Sequence, residues 1–246
     1  MVKHPFLLLY LAHSPEVPRL IAGYQGQTGQ VTGQGQPAQG TSQGEPTGGS
    51  APAFSDVPSW AQQAVGAMCQ RGIIRGVGGG LFGSNRVLNR AEFATLLVRE
   101  FRLSTSGSVY GTMTFVDAPS TFWAYNDIEA AAAANTMTYW TVNGQNYFRP
   151  HDPADREDCI VAMVEAAGLA GQTPDPSVLS KFVDAGSISP NLVNLVAIAV
   201  SSGLVTGSQG PDGNWHLYPQ AVLTRAEGAV LLYRALAYSK VAPGGA

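Results

Sequence analysis

Charge is scarce in this chain: Lys, Arg, Asp and Glu together make up 13% of the sequence, roughly half the usual share. The balance is −3 at pH 7. No cationic field is present to draw in a polyanion, which sets nucleic acid aside as a partner. No polybasic stretch marks a membrane-surface segment either. Cysteine is equally sparse. Cys69 and Cys159 have neither CxxC spacing nor a nearby His cluster, which argues against zinc. Both fall inside apolar helical patterns, where a free thiol behaves as a small buried hydrophobe, and that reading is preferred over a disulfide. His4, His13, His151 and His216 are scattered without partner spacing. G-x-S-x-G, HExxH and phosphate-binding loops are missing. The carboxylate pairs Glu157/Asp158 and Asp152/Asp155 each lie within one short segment, whereas a glycosidase pair stands about 5–10 Å apart, usually on separate elements. Gly76-Val-Gly-Gly-Gly80 is turn chemistry, and Asp212-Gly213-Asn214 lacks the spacing and terminal Glu of an EF-hand. The chain is therefore expected not to be an enzyme and to need no cofactor or metal. Its apolar run Phe6–Ala12 is too short to span a bilayer.

What the chain does have is apolar content, 45%, enough for a sizeable core. Residues 1–23 carry Lys3 ahead of the run Phe6–Ala12. They read either as a short secretory signal with a poor cleavage site or as an internal start within a longer gene. Residues 24–53 are Gly, Gln, Thr, Ser and Pro with the single charge Glu45. Such a composition cannot offset its chain entropy by burial, and a flexible linker is expected.

From Phe54 the sequence repeats, which is the decisive pattern. Phe54-Ser-Asp56, Phe115-Val-Asp117 and Phe182-Val-Asp184 each open a unit, over 54–110, 111–178 and 179–246. Apolar helical stripes follow: Trp60, Ala64 and Met68; Ile128, Ala131 and Ala132; Leu192, Leu195, Val196 and Ala199. Gly72, Asn135 and Gly203 stop them. A short hydrophobic turn and a polar or Gly-rich loop then lead to a second helix, with a short extended pair expected in the loop. These helices begin Asn89-Arg-Ala-Glu92, Asp155-Arg-Glu-Asp158 and Thr224-Arg-Ala-Glu227. Behind the starts run Phe93, Leu96 and Leu97; Ile160, Met163 and Val164; Val230, Leu231 and Tyr233. The fold class expected is mainly α, helix–loop–helix in each unit. Neither helix alone hides its apolar face, so the units should pack on one another.

The tetrads have a local cause at their ends. Thr224 with Glu227 forms a capping box, Asn89 with Glu92 a close variant, and Asp155 with Asp158 should cap in the same way. Their second position does not. Arg90, Arg156 and Arg225 stand at the first helical residue, where the macrodipole disfavours a cation by a few tenths of a kcal/mol or more. Two reasons remain open, singly or together: each Arg pairs with the Asp of an F-x-D opening, or each joins free backbone N–H groups in a pocket for an anion, with Asp orienting Arg where both hold.

The pattern F-x-D-V-x-x-W-A, G-I-I-x-G and T-R-A-E resembles the S-layer homology family. It is carried by Phe54–Val57 with Trp60-Ala61, Gly72–Gly76 and Asn89–Glu92, and again by Phe182–Asp184, Gly203–Gly207 and Thr224–Glu227. The resemblance implies three repeats in a pseudo-threefold spindle around a central three-helix bundle. It also implies an extracellular module anchored to a bacterial cell wall. The binding partner it implies is secondary cell-wall polysaccharide, often with pyruvate ketals on N-acetylmannosamine, with surface-layer proteins as neighbours. A protein-docking or lattice module without glycan binding is the second reading.

Carried over by motif, the groove residues are Arg90, Arg156 and Arg225 with Asp56, Asp117 and Asp184. Trp60 and Trp123 offer sugar-stacking faces, with core packing the competing role. Gly76 and Gly207 allow close backbone approach. The second unit departs from the pattern with Tyr139 and an acidic tetrad, and the third lacks the tryptophan. Unequal grooves are therefore expected, the weakest around Arg156.

Overall fold

A computed structural model describes residues 53–105 and 115–238, so the expectations for 1–23 and for nearly all of the 24–53 linker lie outside the described residues. The described part is mainly α, with four short strands. Its α-helices come in three pairs: α1 (Gln62–Gln70) with α2 (Arg90–Phe101), α3 (Tyr125–Ala133) with α4 (Arg156–Ala166), and α5 (Val193–Ser201) with α6 (Arg225–Ala235). A 3₁₀ turn, Ser59–Ala61, leads into α1.

The first helix of each pair ends at its expected stop. Gly72, Asn135 and Gly203 have φ of 69°, 56° and 78°. That left-handed residue lets the next amide turn back, as Ile73 does on Met68 O at 3.0 Å. In the second pair the loop is a hairpin, β1 (Trp140–Val142) with β2 (Gln145–Tyr147). Its Asn143-Gly144 turn has positive φ at both residues, the geometry that matches strand twist. The third pair has the shorter β3 (Ser208–Gln209) with β4 (Trp215–His216). The first keeps only a bridge between Gly78 and Leu81.

The second helices start at the tetrads. Both capping boxes form, Asn89 with Glu92 and Thr224 with Glu227. Asp155 makes no side-chain cap, against expectation. Its fourth-position partner Asp158 instead faces Arg90, with Oδ2 3.5 Å from Nη1. Along α6, Leu231 is buried as expected, but Val230 and Tyr233 are half-buried and Leu232 takes the inner position.

Packing runs between pairs more than within them. α1 lies on α6, α3 on α2 and α5 on α4, while α2, α4 and α6 touch one another. Phe93, Leu97, Ile160, Met163, Leu231 and Leu232 are all buried, each such side chain stabilising the fold by roughly 1.5–3 kcal/mol. The circular order is closed by backbone hydrogen bonds. Leu88 N–H donates to Leu223 O, Leu223 N–H to Ala154 O, and Ala154 N–H to Leu88 O, all at 2.9 Å. Cys69 and Cys159 are both free thiols, Cys159 buried and Cys69 partly so. Among the described residues, no helix is long and apolar enough to cross a membrane.

Candidate functional site

The opening aspartates hold the loops that precede the second helices. Asp56 accepts hydrogen bonds from the N–H groups of Phe82, Gly83 and Ser84 at 2.7, 2.7 and 2.9 Å. Asp117 accepts from Phe148 and Arg149 at 2.9 and 2.8 Å. Asp184 accepts from Leu217 and Tyr218 at 2.9 and 2.8 Å. A carboxylate that receives several amides is favoured in its charged form. The Phe82 amide, then Ser84, holds Asp56 below its ordinary range. No ion pair joins these aspartates to Arg90, Arg156 or Arg225 among the described residues, so the first of the two reasons considered for the arginines does not hold.

Nor are the helix-start amides free for an anion. Arg90 and Ala91 N–H groups donate to Asp152 O and Pro150 O at 2.9 and 3.1 Å. Arg156 and Glu157 donate to Ala221 O and Pro219 O at 2.9 and 3.0 Å. Arg225 and Ala226 donate to Arg86 O and Ser84 O at 2.9 and 3.1 Å. Each second helix thus sets its positive end against carbonyls of the next pair's loop, which satisfies the end groups a helix leaves unpaired.

The arginine side chains follow their amides across the same boundary. Arg225 is buried. Its Nε donates to Phe82 O at 3.1 Å and its Nη2 to Arg75 O at 2.6 Å, with the guanidinium 4.9 Å over the Phe82 ring. Arg90 does the same one step round, with Nε to Phe148 O at 2.9 Å and Nη2 to Thr138 O. Its guanidinium lies 4.7 Å from the Trp140 centroid and 4.8 Å from that of Phe148. Burial lowers the Arg90 pKa, and Asp158 ahead of Cys159 and the other nearby acids works against that. The acidic charge of the second tetrad therefore bears on Arg90 across the boundary. Arg156 departs from the pattern: Nη1 pairs with Glu227 at 3.4 Å, and the buried Nε has no hydrogen-bond partner.

Gly76 and Gly207 have a packing cause. A Cβ on Gly76 would stand 2.8 Å from Leu81 O and against the Phe54 ring, and one on Gly207 2.6 Å from His216 O and against Phe182. The opening phenylalanine fills the space a side chain would take. In the second unit Tyr139 stands there and meets Phe115 edge-on, centroids 5.2 Å apart. The tryptophans are not core residues: Trp60 is 60% and Trp123 47% exposed. The turn bearing Trp60 packs on α6. Trp123 neighbours Phe122, whose ring meets His151 edge-on at 5.4 Å. A shallow depression beside it is lined by Asp117, Arg149, Pro150, His151 and Asp152.

Phe82, Phe148 and Leu217, whose amides the opening aspartates hold, were not anticipated as site residues. A signal exists: each stands eight residues before its tetrad arginine, as 82 to 90, 148 to 156 and 217 to 225. Trp140, sandwiched between Arg90 and Arg149, was likewise missed. No group of three His, Cys, Asp or Glu residues is placed to hold a metal ion among the described residues.

Comparison with known proteins bears on the same stretch. The chain is 29% identical over 183 residues to a surface-layer 125 kDa protein of Lysinibacillus sphaericus, covering 74% of this chain and 14% of that protein. It is 30% identical over 182 residues to an amylopullulanase of Thermoanaerobacterium thermosulfurigenes, covering 73% of this chain and 9% of the enzyme. The chain thus spans a small part of the length of either relative. Residues 53–94, which hold Asp56, Trp60, Gly76 and Arg90, match the family model of the S-layer homology domain, and the chain carries such a domain there.

Proposed function

We propose that the chain is a non-covalent anchor to a bacterial cell wall, acting outside the cell, and that it is not itself an enzyme. The units 54–110, 111–178 and 179–246 would form a pseudo-threefold spindle around α2, α4 and α6, which the cyclic hydrogen bonds and the helix contacts support. The ligand is acidic secondary cell-wall polysaccharide, with pyruvylated N-acetylmannosamine the fitting unit, held in grooves between the pairs. The observation that carries this reading is that the 53–94 segment holds both an exposed indole and the backbone carbonyl that receives a buried guanidinium. There an indole 60% exposed to solvent sits on a turn packed against α6, the helix whose first residue sends Arg225 into the same segment. Sugars stack on exposed aromatic faces, and a guanidinium suits a carboxylate. Asp117, Asp184, Trp123, Gly76 and Gly207 shape the grooves in this reading, and Arg90 and Arg156 set their charge.

That one relative is a surface-layer protein and the other an amylopullulanase, each far longer than the matched stretch, suits a module joined to varied cargo. The first relative also favours a second reading, docking to surface-layer neighbours without glycan.

Calorimetric titration with purified wall polysaccharide, with and without its acidic substituents, separates the two. Binding lost on removal of the carboxylates is expected. No binding to either form would reject the wall reading and leave protein docking.

A further inference from the structure

The three loops that receive the helix starts differ at one position. Gly83, Arg149 and Tyr218 each follow the residue at the tetrad-minus-eight position, and each N–H donates to an opening aspartate. All three are left-handed, with φ of 77°, 57° and 52°. Side chains rarely adopt that region, and strained residues cluster where a fold places groups for use. The two side chains that accept the strain each lie against a neighbouring ring. The Arg149 guanidinium carbon is 4.4 Å from the Trp140 centroid. Tyr218 stacks on His216 at 5.0 Å and 12°. Gly83 places nothing there. The point a Cβ would occupy lies 3.6 Å from Arg225 Nε and 3.2 Å from the exposed Val77 side chain.

We infer that this left-handed position gates each groove, and that an acidic sugar enters only the groove opened by Gly83, over Arg225. This rests on the wall-glycan reading and adds to it which groove works and why.

Charge selects the same groove. Residues 53–105 hold six arginines against three acids, whereas residues 115–238 hold five cations against twelve acids. Burial, and after it the charge of half-exposed Arg86, disfavours the Arg225 cation, which a carboxylate ligand would offset. Glu92, bonded to Arg86, offsets part of that field. The negative charge of Asp56 is already engaged by three amides. Arg90, by contrast, faces Asp158, Asp152 and Asp155. Arg156 faces Glu227, and beside it Glu157 bonds the Ser189 N–H and hydroxyl at 3.0 and 2.6 Å. An acidic ligand would meet these carboxylates in both.

The test is calorimetry on the full chain with pyruvylated N-acetylmannosamine and with the same sugar lacking pyruvate. The unmodified chain is expected to bind one equivalent of the pyruvylated form. Gly83→Tyr, which copies the third loop, should weaken that binding at least tenfold with its far-UV circular dichroism intact. Arg86→Gln, a surface change, should weaken it several-fold, and Arg149→Ala should leave it unaltered. Undiminished binding by Gly83→Tyr, or by Arg86→Gln should the tyrosine variant not fold, overturns the gate, as does loss of binding in Arg149→Ala. Those results would leave the wall-glycan reading standing, whereas failure of the unmodified chain to bind sugar or polysaccharide would remove both.

Discussion

At the scale of single residues, charge in this protein is spent on backbone. Asp56 meets three amides, and Arg90 and Arg225 each meet two carbonyls of the neighbouring pair. The aspartate gives a pH prediction whose sign is fixed. The folded pKa of Asp56 lies below the ordinary 3.8, so its contribution to stability is present above that value and is lost as pH falls through the folded pKa. Asp56→Asn should therefore flatten the acid limb of the stability curve below about pH 4. Urea midpoints measured from pH 5 to pH 2 check this. An acid limb as steep as that of the unmodified chain would assign the acid sensitivity to other carboxylates.

Among elements, the helix ends separate what local chemistry decides from what neighbours decide. Gly72, Asn135 and Gly203 were legible as stops because a left-handed cap is a property of the residue itself. Asn89 and Thr224 were legible as caps for the same reason. Asp155 makes no such cap, and its box partner Asp158 faces Arg90, a residue sixty-eight positions away in the chain. The three arginines could be recognised as misplaced from the helix dipole alone. Their destinations could not, since Phe148, Thr138, Phe82 and Arg75 receive them through carbonyls that every residue carries. The tryptophans divided in the same way: the sequence showed their spacing, and only the packing showed that both face solvent.

The glycines turn this distinction into a measurable contrast. Gly72 and Gly207 are both left-handed, but a Cβ at Gly72 meets nothing within 4 Å, while one at Gly207 collides with Phe182 and His216 O. Gly72→Ala should cost about 1 kcal/mol, the conformational share alone. Gly207→Ala should cost upwards of about 2 kcal/mol, because overpacking adds to it. Thermal unfolding of the two variants checks the order, and equal losses would mean that the Phe182 ring yields freely.

For the whole molecule, the consequence of packing between pairs is that no pair is self-sufficient. α1 depends on α6 and α2 on α3. Residues 53–105 expressed alone, although they contain the matched 53–94 stretch, should show no cooperative thermal transition, whereas 53–238 should unfold in a single step. A sharp transition in the short piece would show that one pair folds unaided. The bonds joining Leu88, Ala154 and Leu223 also fix how such a protein can grow. An open stack of repeats lengthens by adding a copy at either end, because each copy touches only its neighbours. Here each of the three amides already has its carbonyl, and each carbonyl its amide. A fourth copy could join only by breaking one of these bonds first. Three helix pairs therefore close this ring of bonds.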